Sequence, residues 1–100
     1  MKNKSYNNFF TNFASPSKFS IIMALRDGPL SVSEIVEKVG EEQSAVSHNL
    51  KSLSQCHILN VTKQGKKRIY SLNRQTVTPM LKIVESHVKR FCLVGCKNES

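Results

Sequence analysis

Apolar residues recur at helical spacing along most of this chain, and the spacing is clearest over residues 43–53. Val46, Leu50 and Leu53 fall on one side of a helix, which predicts a buried stripe. The opposite side is polar and carries Gln43, Ser44, Ser47, His48 and Lys51. Short hydroxyl and amide side chains on an exposed helix face suit contacts with base edges and phosphates, although an ordinary solvated face has the same composition.

A shorter helix is predicted directly before this one. The run Ser31-Val32-Ser33-Glu34 matches a capping box, in which the Ser31 hydroxyl and the Glu34 carboxylate each accept a backbone N–H of the first turn. Gly40 is placed to end that helix. Because only a few residues separate Gly40 from Gln43, the pattern predicts a helix-turn-helix over about residues 31–55.

Two further helices are predicted in the first part of the chain. Phe9, Phe10 and Phe13 have helix-compatible spacing within residues 5–13, which indicates a short first helix that lays aromatic rings on the core or on a partner subunit. Ser15 and Pro16 then form a typical helix start, with serine as N-cap and proline at the first helical position. The helix that follows is apolar nearly all round and ends at Asp27-Gly28-Pro29.

A cationic hairpin is predicted after the helix-turn-helix. Residues 61–70 form two β-prone arms around a turn that contains Gly65, within a hairpin of about residues 58–72. Four cations lie at or beside its tip: Lys63, Lys66, Lys67 and Arg68. Crowded positive charges repel one another unless a polyanion lies nearby, so this wing predicts contact with nucleic acid.

A terminal helix is predicted over about residues 76–92, with its start at Thr76-Val77-Thr78-Pro79. Its apolar stripe consists of Val77, Met80, Leu81, Val84, Val88 and Phe91. An apolar stripe this continuous must pack against another apolar surface. That surface could belong to its own domain or to the same helix of a second copy.

Together these elements predict a mainly α fold with a small β-hairpin, a winged helix-turn-helix of about five helices plus a two-stranded wing. The length of 100 residues suits a single domain over residues 1–100. A domain of this size buries a modest fraction of its surface, so dimerisation would add useful burial.

The net charge of +8 is distributed unevenly and narrows the choice of partner. Residues 1–50 carry five cations and five anions, whereas residues 51–100 carry ten cations against Glu85 and Glu99. This asymmetry indicates nucleic acid or an anionic surface. No apolar run is long enough to span a bilayer, and asparagines occupy the place of a signal peptide's apolar region, so we expect no membrane association and a cytoplasmic location.

The cysteines indicate neither a disulfide framework nor a zinc ribbon, because Cys56, Cys92 and Cys96 are an odd set without a CxxC pair. An alternative is a thiol site for a soft metalloid or redox signal at Cys92 and Cys96, with Cys56, His87 or a second subunit as a further ligand. Reduced structural thiols are the simpler expectation. We expect no cofactor and no enzyme, since the sequence has no paired acids, nucleophile-base pair or phosphate-binding glycine loop.

The sequence resembles the ArsR family of winged-helix transcriptional repressors over roughly residues 14–92. The resemblance lies in four segments: Ser15 to Ile22 at the opening of the second helix, Leu30 to Ile35 at the family's metal-binding helix segment, Gln43 to Lys51 at the recognition helix, and Lys66 to Leu72 at the returning wing strand.

The resemblance implies a homodimer in which the first and last helices form the interface and two recognition helices enter successive major grooves of double-stranded DNA. The implied interface residues are Phe9, Phe10, Phe13, Met80, Leu81, Val84, Val88 and Phe91. The implied groove contacts are Gln43, Ser44, Ser47 and His48, and the implied phosphate or minor-groove contacts are Lys51, Lys63, Lys66, Lys67 and Arg68.

The sequence departs from this family at its metal-binding positions. Ser31 and Ser33 stand where founding members have thiolates, and hydroxyls do not replace thiolates as ligands for soft metals. The family's other site uses carboxylate and imidazole ligands, and its matching positions hold Arg74, Thr76, His87 and Arg90, of which only His87 can bind a metal. We therefore expect no metal site.

The leading hypothesis is a dimeric, sequence-specific DNA-binding regulator, and more narrowly a repressor. A different class of function stays open, in which the winged helix is a protein-interaction module that binds an acidic partner. Glu41 and Glu42 at the start of the recognition helix favour this alternative, because they are unfavourable close to phosphates.

Overall fold

The computed structural model describes residues 3–92. Within that range the chain forms the helices α1 (Asn3–Ala14), α2 (Pro16–Ala24), α3 (Val32–Val39), α4 (Gln43–Gln55) and α5 (Val77–His87), and a π-helical turn over Val88–Cys92 continues α5. The strands are β1 (Leu30–Ser31), β2 (Leu59–Gln64) and β3 (Lys67–Leu72). The predicted fold class is confirmed, with one correction to the sheet.

The sheet has three strands and not two, in the order β1-β3-β2, and both pairings are antiparallel. In the added strand, Leu30 pairs with Tyr70 and Ser31 pairs with Ile69. A strand of two residues is too short to show the alternation that identifies strands in a sequence. Because the capping box begins at Ser31, the sequence pattern there indicates a helix start and conceals the strand.

The capping box of α3 is confirmed. The Ser31 Oγ accepts the backbone N–H of Glu34 at 3.3 Å, and the Glu34 Oε1 accepts the backbone N–H of Ser31 at 2.8 Å. The bonds from the Ser31 backbone and side chain, together with the charge of Lys67, lower the pKa of Glu34 below its ordinary value. Gly40 ends the helix in the left-handed conformation that glycine favours, with φ of +74°.

The core lies between α2, α3, α4 and the sheet. Val46, Leu50 and Leu53 are fully buried, as their spacing predicts. The same cluster contains Ile21, Ile22, Leu25, Ile35, Ile58, Leu59, Tyr70, Leu72 and Val77. Burial of three large side chains from one stripe fixes α4 by its apolar face and leaves its polar face outward.

A polar contact joins α1, α2 and α4. Lys18 Nζ on α2 donates to Asn12 Oδ1 on α1 at 3.2 Å and to Ser52 Oγ on α4 at 3.1 Å. Asn12 is buried, which is unusual for an amide side chain, and its Nδ2 is satisfied by the Asn8 carbonyl. Phe9 and Phe13 pack against the core from the same helix, so α1 is anchored along one face.

Candidate nucleic-acid interface

The polar face of α4 is open to solvent. Its predicted contact residues Gln43, Ser44, Ser47, His48 and Lys51 are all exposed. The helix begins after Glu42, whose side chain makes no capping hydrogen bond, so the first backbone N–H groups of α4 are available to an acceptor from outside.

The end of α4 fixes how the wing leaves the helix. His57 adopts a left-handed conformation with φ of +59°, which is uncommon for a residue other than glycine. Its N–H donates to the Ser54 carbonyl and the N–H of Ile58 donates to the Leu53 carbonyl, both at 3.0 Å. This pair of bonds is a Schellman motif, which ends α4. The Asn73 side chain also holds the His57 carbonyl at 2.8 Å, so the junction between α4 and β2 is tightly specified.

The wing is a tight hairpin whose strands turn at Gly65 and Lys66. Gly65 has φ of +63°, and no residue other than glycine has a positive φ in residues 3–92 except His57. A positive φ at only the first central position is typical of a type II′ turn, which matches the twist of paired strands. The register places Lys63 opposite Arg68 and Gln64 opposite Lys67.

This register divides the four wing cations between the two faces of the hairpin. Successive side chains of a strand point to opposite faces, so Arg68 shares a face with Tyr70 and Leu72, which are buried on the core side. Lys63 lies on that same face because it pairs with Arg68. Lys67 points to the other face, where its charge acts on Glu34. Lys66 lies at the turn, and all four side chains are exposed.

The face that carries Arg68 forms one wall of a cleft of about 510 Å³ against α4. We call this the helix–wing cleft and define it by Ser47 and Lys51 on α4 and Val61, Arg68 and Tyr70 on the wing. It brings together Ser47, Lys51 and Arg68, three predicted DNA contacts that lie on two different elements. None of the described residues that line it is acidic.

The predicted interface residues on α1 and α5 occupy mixed environments. Phe10, Val84, Val88 and Phe91 are exposed, whereas Phe9, Phe13, Met80 and Leu81 are half-buried. The α5 stripe is therefore divided: its first turns pack on this chain through Val77 and Leu81, and its later turns face solvent. Arg26 Nη2 fixes α5 against the end of α2 by donating to both carboxylate oxygens of Glu85 at 3.1 Å.

Two exposed apolar side chains on α1 and α5 were missing from the predicted interface. Ile83 is 71% exposed on α5 and Tyr6 is 52% exposed on α1. Ile83 lies three residues after Met80, so helical spacing could have placed it at the edge of the predicted stripe.

The two cysteines of the described range lie on different elements. Cys56 caps α4 and lies by Tyr6, Phe9 and Phe10 of α1, whereas Cys92 ends the π-helical turn after α5. Cys96 lies outside the described residues, so the proposed pair with Cys92 is untested. Over residues 3–92, no three or more His, Cys, Asp or Glu side chains group so as to hold a metal ion. In the same range, no helix is both long and apolar enough to cross a membrane.

A helix-turn-helix followed by an antiparallel hairpin defines the winged helix-turn-helix class of proteins. Residues 15–61 match the bacterial regulatory protein, arsR family. The solution structure of apo-NmtR superposes with a TM-score of 0.77 at 30% identity, covering 97% of this chain and 81% of that one. The chain belongs to the arsR family.

Other comparisons agree with this assignment. The transcriptional regulator NmtR of Mycobacterium tuberculosis is 40% identical over 68 residues, which cover 68% of this chain and 57% of NmtR. The match thus spans a little over half of that relative's length. The homodimeric winged helix-turn-helix DNA-binding domain of Mb0332 from Mycobacterium bovis superposes with a TM-score of 0.78 at 17% identity, covering 86% of this chain and 80% of that chain, which supports the fold.

Proposed function

We propose that this protein is a homodimeric regulator of transcription that binds double-stranded DNA, and more narrowly that it is a repressor. Its function is then binding and not catalysis, in keeping with relatives that are named as transcriptional regulators and repressors. We place it in the cytoplasm, where bacterial DNA is accessible to it.

One observation carries the proposal: every predicted DNA contact on α4 and on the wing is exposed, while the apolar residues of the same helix are fully buried. Gln43, Ser44, Ser47 and His48 would face base edges in the major groove. Lys51 and the four wing cations would contact phosphates or, at the tip, the minor groove. The buried stripe leaves the polar face of α4 and the cationic wing, which follow one another along the chain, accessible to a polyanion.

The homodimer is proposed from the exposed apolar side chains of α1 and α5. Phe10 and Phe91 are each more than half exposed, and Ile83 is exposed further still. Large exposed apolar side chains of this kind mark interaction sites in soluble proteins. A two-fold axis through these helices would present the two α4 helices about one turn of DNA apart, ~34 to 36 Å, to a near-palindromic operator.

The proposal is tested by fluorescence anisotropy of the reduced protein with a labelled random-sequence duplex over a salt series. We expect binding at low salt, with a steep loss of affinity as salt rises, because each phosphate contact contributes a slope of about 0.9. Failure to bind the duplex at low salt would reject the proposal. Capture of an acidic protein by the same surface would then favour the protein-interaction alternative.

A further inference from the structure

We propose that the helix–wing cleft is a binding subsite for a single backbone phosphate, held between Lys51 of α4 and Arg68 of the wing. This inference rests on the proposed function and deepens it. It assigns one shared ligand to two residues on different elements, where the sequence predicts independent contacts.

The first support is the placement of charge. Lys51 and Arg68 line the same cleft from opposite walls, one from the helix and one from the hairpin. Both side chains are exposed, and neither forms an ion pair with a carboxylate among the described residues. The two cations therefore repel each other across a cleft that has no acidic lining residue. An anion bound between them would be attracted by both, which would outweigh that repulsion.

The second support is the chemistry of the remaining lining residues. Ser47 and Gln55 contribute a hydroxyl and an amide from α4, and both can donate hydrogen bonds to phosphate oxygens. Val61 and the buried ring of Tyr70 form an apolar wall on the wing side. A partly apolar wall lowers the local dielectric, which strengthens charge-assisted bonds inside the cleft relative to bonds at the wing tip.

The third support is the rigidity of the two walls. The Schellman motif at His57 and the Asn73 bond to its carbonyl fix the angle at which β2 leaves α4. The pairing of β1 with β3 holds the returning strand against α3. A cleft between fixed walls sets the position of its ligand, so this phosphate would set the register of α4 in the major groove.

Lys66 offers a matched control, because it is an exposed wing cation that does not line the cleft. The experiment measures duplex affinity by anisotropy for Lys51→Ala, Arg68→Ala, Lys66→Ala and the two double variants that combine Lys51→Ala with either wing change. Thermal unfolding of each variant checks that these surface changes leave the domain folded.

The shared subsite predicts that Lys51→Ala and Arg68→Ala each weaken binding about tenfold, and that the double variant weakens it by much less than the product of the two. Its salt slope should fall by about 0.9, the value for one phosphate. The losses from Lys51→Ala and Lys66→Ala should multiply, because those residues would contact separate phosphates.

Multiplicative losses for Lys51→Ala and Arg68→Ala, with the slope lowered by about 1.8, would overturn the subsite and leave the DNA-binding function intact. Unchanged affinity in both single variants would also overturn it. A wild-type protein that does not bind the duplex would instead reject the proposed function, so the two failures are distinguishable.

Discussion

Lys63 and Arg68 are directly opposed across the two strands of the wing. Like charges at directly opposed positions destabilise an antiparallel pair. The chain keeps this unfavourable pair on the same face that lines the helix–wing cleft. In the free protein this repulsion destabilises the fold. In a complex with DNA, the same two charges attract a phosphate.

This relationship predicts opposite effects of one substitution on stability and on binding. Lys63→Thr should raise the free energy of unfolding by up to about 1 kcal/mol in low salt, because it removes the repulsion and adds a good strand former. The gain should shrink as salt screens the charges. Thermal unfolding with and without added salt measures it, and the same variant should bind duplex DNA more weakly. A stability loss in low salt would contradict the account of the pair.

The left-handed His57 predicts a stabilising glycine substitution. The left-handed conformation destabilises the folded state by roughly 1–2 kcal/mol for a residue with a Cβ. Glycine avoids this strain but loses more backbone entropy on folding, which offsets part of the gain. His57→Gly should therefore stabilise the domain by about 0.5–1 kcal/mol, while the backbone bonds of the Schellman motif remain. His57→Ala is the control, since alanine has the same strain as histidine and should give no gain. Chemical denaturation measures the free energy of unfolding of both variants. Equal stability of His57→Gly and His57→Ala would contradict the prediction.

The lowered pKa of Glu34 predicts a pH dependence of stability. A carboxyl group whose pKa is lower in the folded state stabilises the fold above its ordinary pKa of 4.5, and this contribution is lost as pH falls through the folded pKa. Wild-type protein should thus lose stability below about pH 4.5 by more than Glu34→Gln does. Urea unfolding at a series of pH values measures the difference. Parallel pH profiles for the two proteins would show that the ionised Glu34 contributes nothing to the cap.

The exposed Ile83 predicts the position of the dimer interface. If its side chain is buried by a second copy, Ile83→Glu removes roughly 1.5–3 kcal/mol per side chain and should raise the dimer dissociation constant at least tenfold. Val61→Glu is the control, because it places the same charge on an exposed valine of the wing. Sedimentation equilibrium should find only the Ile83 variant dissociated. Equal association by both variants would place the interface elsewhere.

The helices and the polar face of α4 were predictable because their signals are local. The stripe of Val46, Leu50 and Leu53 and the cap at Ser31 each depend on residues within two turns of one another. The strand β1 was not predictable, because it depends on the pairing of Leu30 with Tyr70 and of Ser31 with Ile69 on a distant strand.

The residues of the candidate site could be predicted from the sequence, but their positions relative to one another could not. The charge pattern identifies Lys51, Lys67 and Arg68 but not their faces. The hairpin register decides that Arg68 shares a cleft with Lys51 and that Lys67 acts on Glu34. A shift of one residue would exchange the two faces, and register is set by the turn at Gly65 together with burial of Leu59, Tyr70 and Leu72.

Two copies of this chain should bind one duplex through α4 and the wing. Sedimentation velocity of the reduced protein mixed with a labelled duplex, at low salt and again at high salt, tests it most directly. We expect a complex of two chains per duplex at low salt that dissociates at high salt, because phosphate contacts dominate the affinity. A complex with one chain per duplex, or free duplex at low salt with the protein still folded, would contradict the claim.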